Sequence, residues 1–134
     1  MADGFQDVSD TELAILHILW DRGPSSIRQL TETLYPEGRA SQYATVQKLL
    51  ERLEKKGCVR RDRSQAVHVV QASIDREALL GRRLESVAQS LCHGLFAPLA
   101  LHLVRAERLS ERERLELRRL LDEMDRKPPE SETR

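Results

Sequence analysis

The chain has 134 residues, with 22 Lys and Arg balanced by 22 Asp and Glu, 40% hydrophobic residues and only 4% aromatic ones. That length accommodates one domain, or one domain with an appendage, and its core has to be built from Leu, Val, Ile and Ala with Trp20 as the one large anchor. No run approaches the ~18 consecutive apolar residues of a membrane span, so no membrane insertion is expected. The acidic opening MADGFQDVSD lacks the apolar stretch of a secretory signal. Cys58 and Cys92 are accordingly expected as reduced thiols in a cytoplasmic protein.

The segment SDTELAILHILWDRG predicts a first helix. Ser9 followed by Glu12 reads as a capping box. Leu13, Leu16 and Trp20 form one row, Ile15 and Leu19 another, and Gly23-Pro24 ends the helix. In SSIRQLTETLYPEG, Ser26 with Gln29 is a second capping box, and Ile27, Leu30 and Leu34 face inward on a short helix that stops before Pro36. A third helix spans Ser41 to Lys56, with Gly57 placed as its C′ residue. Past Gly57 the period changes. CVRRDRSQAVHVV offers two extended runs, Cys58–Arg61 and Ala66–Val70, around the polar loop 62–65, which reads as a β-hairpin.

Three helices and a hairpin, with basic residues on the third helix and the hairpin, predict a winged helix-turn-helix over residues 1–72. The fold class is therefore mainly α with a small antiparallel β wing. Residues 73–127 read as a helical region for dimerisation. A helix from Asp75 to His93 carries Leu79, Leu80, Leu84, Val87 and Leu91. Gly94 and Pro98 break it, and a short helix with Leu99, Leu101, Leu103 and Val104 follows. Ser110 and Glu113 form another capping box, opening a last helix with Leu117, Leu120, Leu121 and Met124. The polar tail 128–134 is expected to be disordered.

The balanced total charge conceals a gradient. Residues 1–38 carry two basic against seven acidic residues, residues 39–63 eight against three, and residues 64–134 twelve of each. Positive charge is thus concentrated where the third helix and hairpin lie, as a local footprint on phosphate requires. On a helical wheel Val46, Leu49, Leu50 and Leu53 centre one face of the third helix. Gln47 and Lys48 lie opposite, and Thr45 and Arg52 flank. A recognition helix needs this division: the apolar face docks, and the polar face enters the major groove. Gln47 suits adenine, Lys48 suits guanine, and Ser41, Gln42, Tyr43 and Thr45 near the helix start suit phosphate. Arg60, Arg61 and Arg63 on the hairpin would grip the backbone or the minor groove. Alternation puts Arg60 and Arg61 on opposite faces, so at most one of them points at DNA. The plainer accounts are a solvated amphipathic helix and an edge strand guarded by charge. The charge gradient and the hairpin together favour DNA.

Cys92-His93 has no second Cys/His pair at ligand spacing, so neither a metal nor any other cofactor is expected. There is no P-loop, no HExxH and no nucleophile with an orienting partner, so the chain does not read as an enzyme.

The stretches ELAILHILWDRGPSSIRQL, YATVQKLLERLEKKGCVRR, GLFAPLALHLV and LSERERLELRRLLDE together resemble the penicillinase-repressor family, over about residues 9–124. The family includes repressors of β-lactamase and methicillin-resistance genes and related copper-transport repressors. The resemblance implies a homodimeric transcriptional repressor that binds an inverted-repeat operator in double-stranded DNA. Thr45, Gln47, Lys48 and Arg52 fall in its recognition helix, and the C-terminal helices dimerise, here through Leu80, Leu84, Val87, Leu91, Leu117, Leu120, Leu121 and Met124. The copper branch ends in paired CxC motifs, whereas DRKPPESETR has no Cys, so copper sensing is not expected. In the antibiotic branch a membrane metalloprotease sensor system relieves repression by cleavage at an Asn-Phe bond. The aligned pair here is His102-Leu103, a departure from that pattern. The competing reading is a winged-helix protein-interaction module whose basic face meets an acidic partner. Specific operator binding that falls steeply with salt separates the two.

Overall fold

The structure, a computed structural model, describes residues 7–126. The tail expected to be disordered, 128–134, lies outside the described residues. The elements run α1 (Asp10–Arg22), β1 (Ser25–Ser26), α2 (Ile27–Leu34), α3 (Ala40–Lys55), β2 (Val59–Asp62), β3 (Val69–Ala72), α4 (Arg76–Leu91), α5 (Ala97–Arg105) and α6 (Glu111–Arg126). The three strands form one antiparallel sheet in the order β1-β3-β2. The chain is mainly helical with a small β wing, as its sequence pattern predicts. Two compact units divide it at Leu84 and Glu85, within α4.

In the first unit, α1, α2 and α3 close around Ile15, Leu16, Leu30, Val46, Leu50 and Leu53, all fully buried. The sheet adds Val59 and Val70 to this core. Both expected capping boxes form: Ser9 Oγ accepts from the Glu12 amide while Glu12 Oε1 accepts from the Ser9 amide, and Ser26 and Gln29 repeat the arrangement. Glu12 goes further than a cap requires. It is buried, and the same Oε1 receives Lys56 Nζ at 2.6 Å. Lys56 Nζ also donates to the Asp7 carbonyl at 2.9 Å, and Arg83 bridges the Asp7 carboxylate and the Val8 carbonyl. The segment before α1 is thus tied to the end of α3 and to α4. Burial pushes the Glu12 carboxyl up, but the Lys56 hydrogen bond, the Ser9 donors and the Lys56 charge outweigh it and hold the carboxyl below its ordinary value.

Helix α3 ends in a Schellman motif. Gly57 takes φ +76°. Its amide donates to the Glu54 carbonyl at 3.0 Å, and the Cys58 amide to the Leu53 carbonyl at 2.9 Å. A left-handed residue is required here, and glycine supplies it without a Cβ penalty. The motif turns the chain directly from α3 into β2, with Cys58 fully buried behind it.

Several expectations change. The hairpin strands are Val59–Asp62 and Val69–Ala72, not Cys58–Arg61 and Ala66–Val70. Val59 and Val70 both face the core, and that fixes the register. Asp62 then ends β2 by accepting from the Ser64 amide and hydroxyl at 3.0 and 2.6 Å, so Ala66 and Val67 fall in the exposed loop. Strand β1 was not expected; two serines between Pro24 and α2 carry no alternating pattern. Trp20 is a half-buried edge residue rather than the anchor of the core. Its indole Nε1 donates to the Ile74 carbonyl at 2.9 Å, and the Arg76 guanidinium lies 5.1 Å from its ring centroid. Leu79 belongs to the winged-helix core and not to an exposed stripe.

In the second unit, α4 stops at Leu91, short of His93. His93 and Gly94 both take positive φ, and the Gly94 amide returns to the Ala88 carbonyl at 2.9 Å. The expected Ser110–Glu113 box opens α6. Neither α5 nor α6 buries a residue within the single chain.

Candidate nucleic-acid interface

Helix α3 divides as its wheel requires. Val46, Leu49, Leu50 and Leu53 are buried, while Ser41, Tyr43, Thr45, Lys48 and Arg52 are exposed and Gln42 and Gln47 half-buried. The first turn contains no acid, so the positive end of the helix dipole is not neutralised by its own sequence. The amides of Ala40 and Ser41 precede the first intrahelical bond and are available to an acceptor such as phosphate.

Hydrogen bonds sort these side chains. Gln42 Oε1 accepts from the Arg39 amide at 2.9 Å, and the Thr45 hydroxyl donates to the Ser41 carbonyl at 3.0 Å. Both are committed to holding the helix start. The side chains of Gln47, Lys48 and Arg52 have no hydrogen bond or ion pair to another described residue. Their polar ends are therefore open to a ligand. Arg39 immediately precedes α3, is exposed and lies 3.3 Å from Glu37. The sequence reading passed over it because it began the helix one residue later.

The wing arginines are held differently from one another. The register pairs Arg61 with Val70 on the core side of the sheet and Arg60 with Gln71 on the other side, as alternation predicts. Arg61 approaches Glu54 of α3, and Arg63 reaches the same carboxylate from the loop. Glu54 and Gln71 were missed from sequence. No periodicity marks them, because they matter only through what the fold sets beside them. Asp62, at the wing's turn, has its carboxyl held below the ordinary range by the Ser64 hydroxyl and amide.

The remaining candidates lie on α4, α5 and α6. Leu80, Leu84, Val87, Leu91, Leu117, Leu120, Leu121 and Met124 are all exposed. His102 and Leu103 occupy the middle of α5 and are exposed too, in helical backbone. Cys92 and His93 lie past the end of α4, and no cluster of His, Cys, Asp and Glu suited to a metal occurs among the described residues. No helix among the described residues is long and apolar enough to cross a membrane.

A three-helix core with a β wing, presenting an unpaired polar helix face in the chain's most basic segment, defines a winged-helix DNA-binding regulator. The chain matches the model of the penicillinase repressor family over residues 8–123 and belongs to that family. That membership makes it a DNA-binding transcriptional repressor, in a family of regulators rather than enzymes. No curated protein matches the chain.

Proposed function

We propose that the protein is a homodimer in the cytoplasm that represses transcription from an inverted-repeat operator, with one α3 in each major groove and the wings on the flanking backbone. The side chains of half-buried Gln47 and exposed Lys48 and Arg52 carry this reading: on a docked helix, with no other described hydrogen-bond or ion-pair partner, they suit base and phosphate contacts. The exposed apolar side chains of α4, α5 and α6 support dimerisation, since a second copy can cover with its own stripe what a single chain leaves to water. In this reading residues 73–127 dimerise and residues 1–72 bind DNA.

Relief by a membrane metalloprotease sensor system fits the same arrangement, because cutting the chain in the dimerisation region separates two half-site binders. The bond His102-Leu103 lies inside a helix, so a protease has to unwind α5 to reach it. The reading is tested by selecting duplexes from random DNA with the intact protein. The expected product is an inverted repeat whose binding weakens steeply with salt, by a protein sedimenting as a dimer. Recovery of unrelated sequences, with binding to acidic proteins of equal strength, would instead support the interaction-module reading.

A further inference from the structure

Arg61 is nine-tenths buried in its side chain. Its Nε is enclosed and makes no hydrogen bond among the described residues. The nearby countercharge is Glu54 Oε1, 3.4 Å away on α3. The other oxygen of Glu54 lies 3.8 Å from Arg63 Nη1, and the Arg63 side chain is half exposed. Arg60, on the opposite face of the sheet, is held by Gln71: with the amide oriented to suit, its oxygen accepts from Arg60 Nε at 3.1 Å and Nη2 at 2.7 Å.

An acid between a recognition helix and a basic wing is costly for general attraction to phosphate. An enclosed guanidinium without its carboxylate is costly for the fold. Arg61 therefore cannot turn to phosphate without abandoning Glu54. Arg63 can, because its side chain is already half exposed. Resting on the repressor reading, we propose that Glu54 is a positioning residue for DNA recognition. Through Arg61 it anchors the wing to α3, and so sets where Arg63 meets the phosphate backbone. Arg61 is the anchor and Arg63 the contact.

The experiment titrates the full-length protein and its variants against two duplexes, the inverted repeat selected by the unmodified protein and a random sequence, over a range of salt. Thermal unfolding is followed in parallel. Glu54→Ala is expected to weaken binding to the selected duplex by about tenfold while leaving random DNA bound equally or more tightly, since a negative charge has been removed. The charge swap, Glu54→Arg with Arg61→Glu, restores most of the loss and keeps net charge unchanged. If Glu54→Ala unfolds the domain, Glu54→Gln and the swap carry the same comparison. Arg63→Ala should lower the salt slope by about one unit, and Arg61→Ala, which frees the wing, should lower it no further when added to Arg63→Ala. The idea is overturned if Glu54→Ala or Glu54→Gln tightens both duplexes alike, if the swap recovers nothing, or if Arg61→Ala with Arg63→Ala lowers the slope by about one unit more than Arg63→Ala alone. Failure of the unmodified protein to prefer any duplex would overturn the repressor reading itself, and the anchor with it.

Discussion

At the scale of single residues, two kinds of side chain matter, and the sequence distinguished only one. Gln47 and Lys48 were legible from the wheel, because an apolar stripe at helical spacing defines its own opposite face. Replacing either by Ala is expected to cost ~1–3 kcal/mol on the operator and less on random DNA. Equal losses on both duplexes, measured by titration, would reduce them to phosphate contacts. Glu12 was legible as a cap but not as half of a buried pair, because Lys56 lies far along the chain and meets it only in the fold. Its depressed carboxyl pKa has a definite sign. The stabilisation is fully present above the unfolded value of 4.5 and is lost as pH falls through the folded value. Lys56→Met removes the countercharge, leaves burial opposed only by the Ser9 donors, and should cost about 3 kcal/mol at neutral pH. It should also move the acid limb of the stability curve to higher pH. Urea unfolding across pH 3–7 checks this, and an unmoved acid limb would show that Lys56 does not set the Glu12 charge.

At the scale of elements, most helices were readable because their ends are chemically marked. Ser9, Ser26 and Ser110 open helices with reciprocal caps, and Gly57 closes α3. The strands were less readable. Their register depends on Val59 and Val70 reaching one core, and Ala66 and Val67 look equally fit for a strand until the Asp62 turn excludes them. Strand β1 had no signal, since two residues cannot show a period. The joint between α3 and β2 has a specific vulnerability. A Cβ at Gly57 would meet nothing within 4 Å, so the cost of Gly57→Ala is that of the left-handed backbone itself. The expectation is a loss of about 1–2 kcal/mol without a packing defect. A stability unchanged in denaturant titration would mean that the Schellman turn contributes nothing at this joint.

At the scale of the whole molecule, the exposed stripes on α4, α5 and α6 favour a second copy. Burying each large aliphatic side chain contributes ~1.5–3 kcal/mol, so several together exceed a typical association cost. Leu84→Asp or Leu120→Asp is therefore expected to give monomers by sedimentation, with the winged helix still folded and most operator affinity gone. Linking two half-site binders raises the effective concentration of the second, and the monomer forfeits that gain. Residues 1–84 binding the operator as tightly as the intact chain would remove the coupling. The two cysteines supply a gauge of such changes. Cys58 lies sealed in the first unit, where burial pushes its thiol pKa up, and Cys92 sits half-exposed in the second. Alkylation is thus a clock with two hands in one chain. Cys92 should be modified promptly, and Cys58 only as fast as the winged helix opens. Operator DNA should slow the second hand alone. A mass spectrum taken at intervals would then separate ligand-induced tightening of the first unit from loosening of the region proposed to pair the copies.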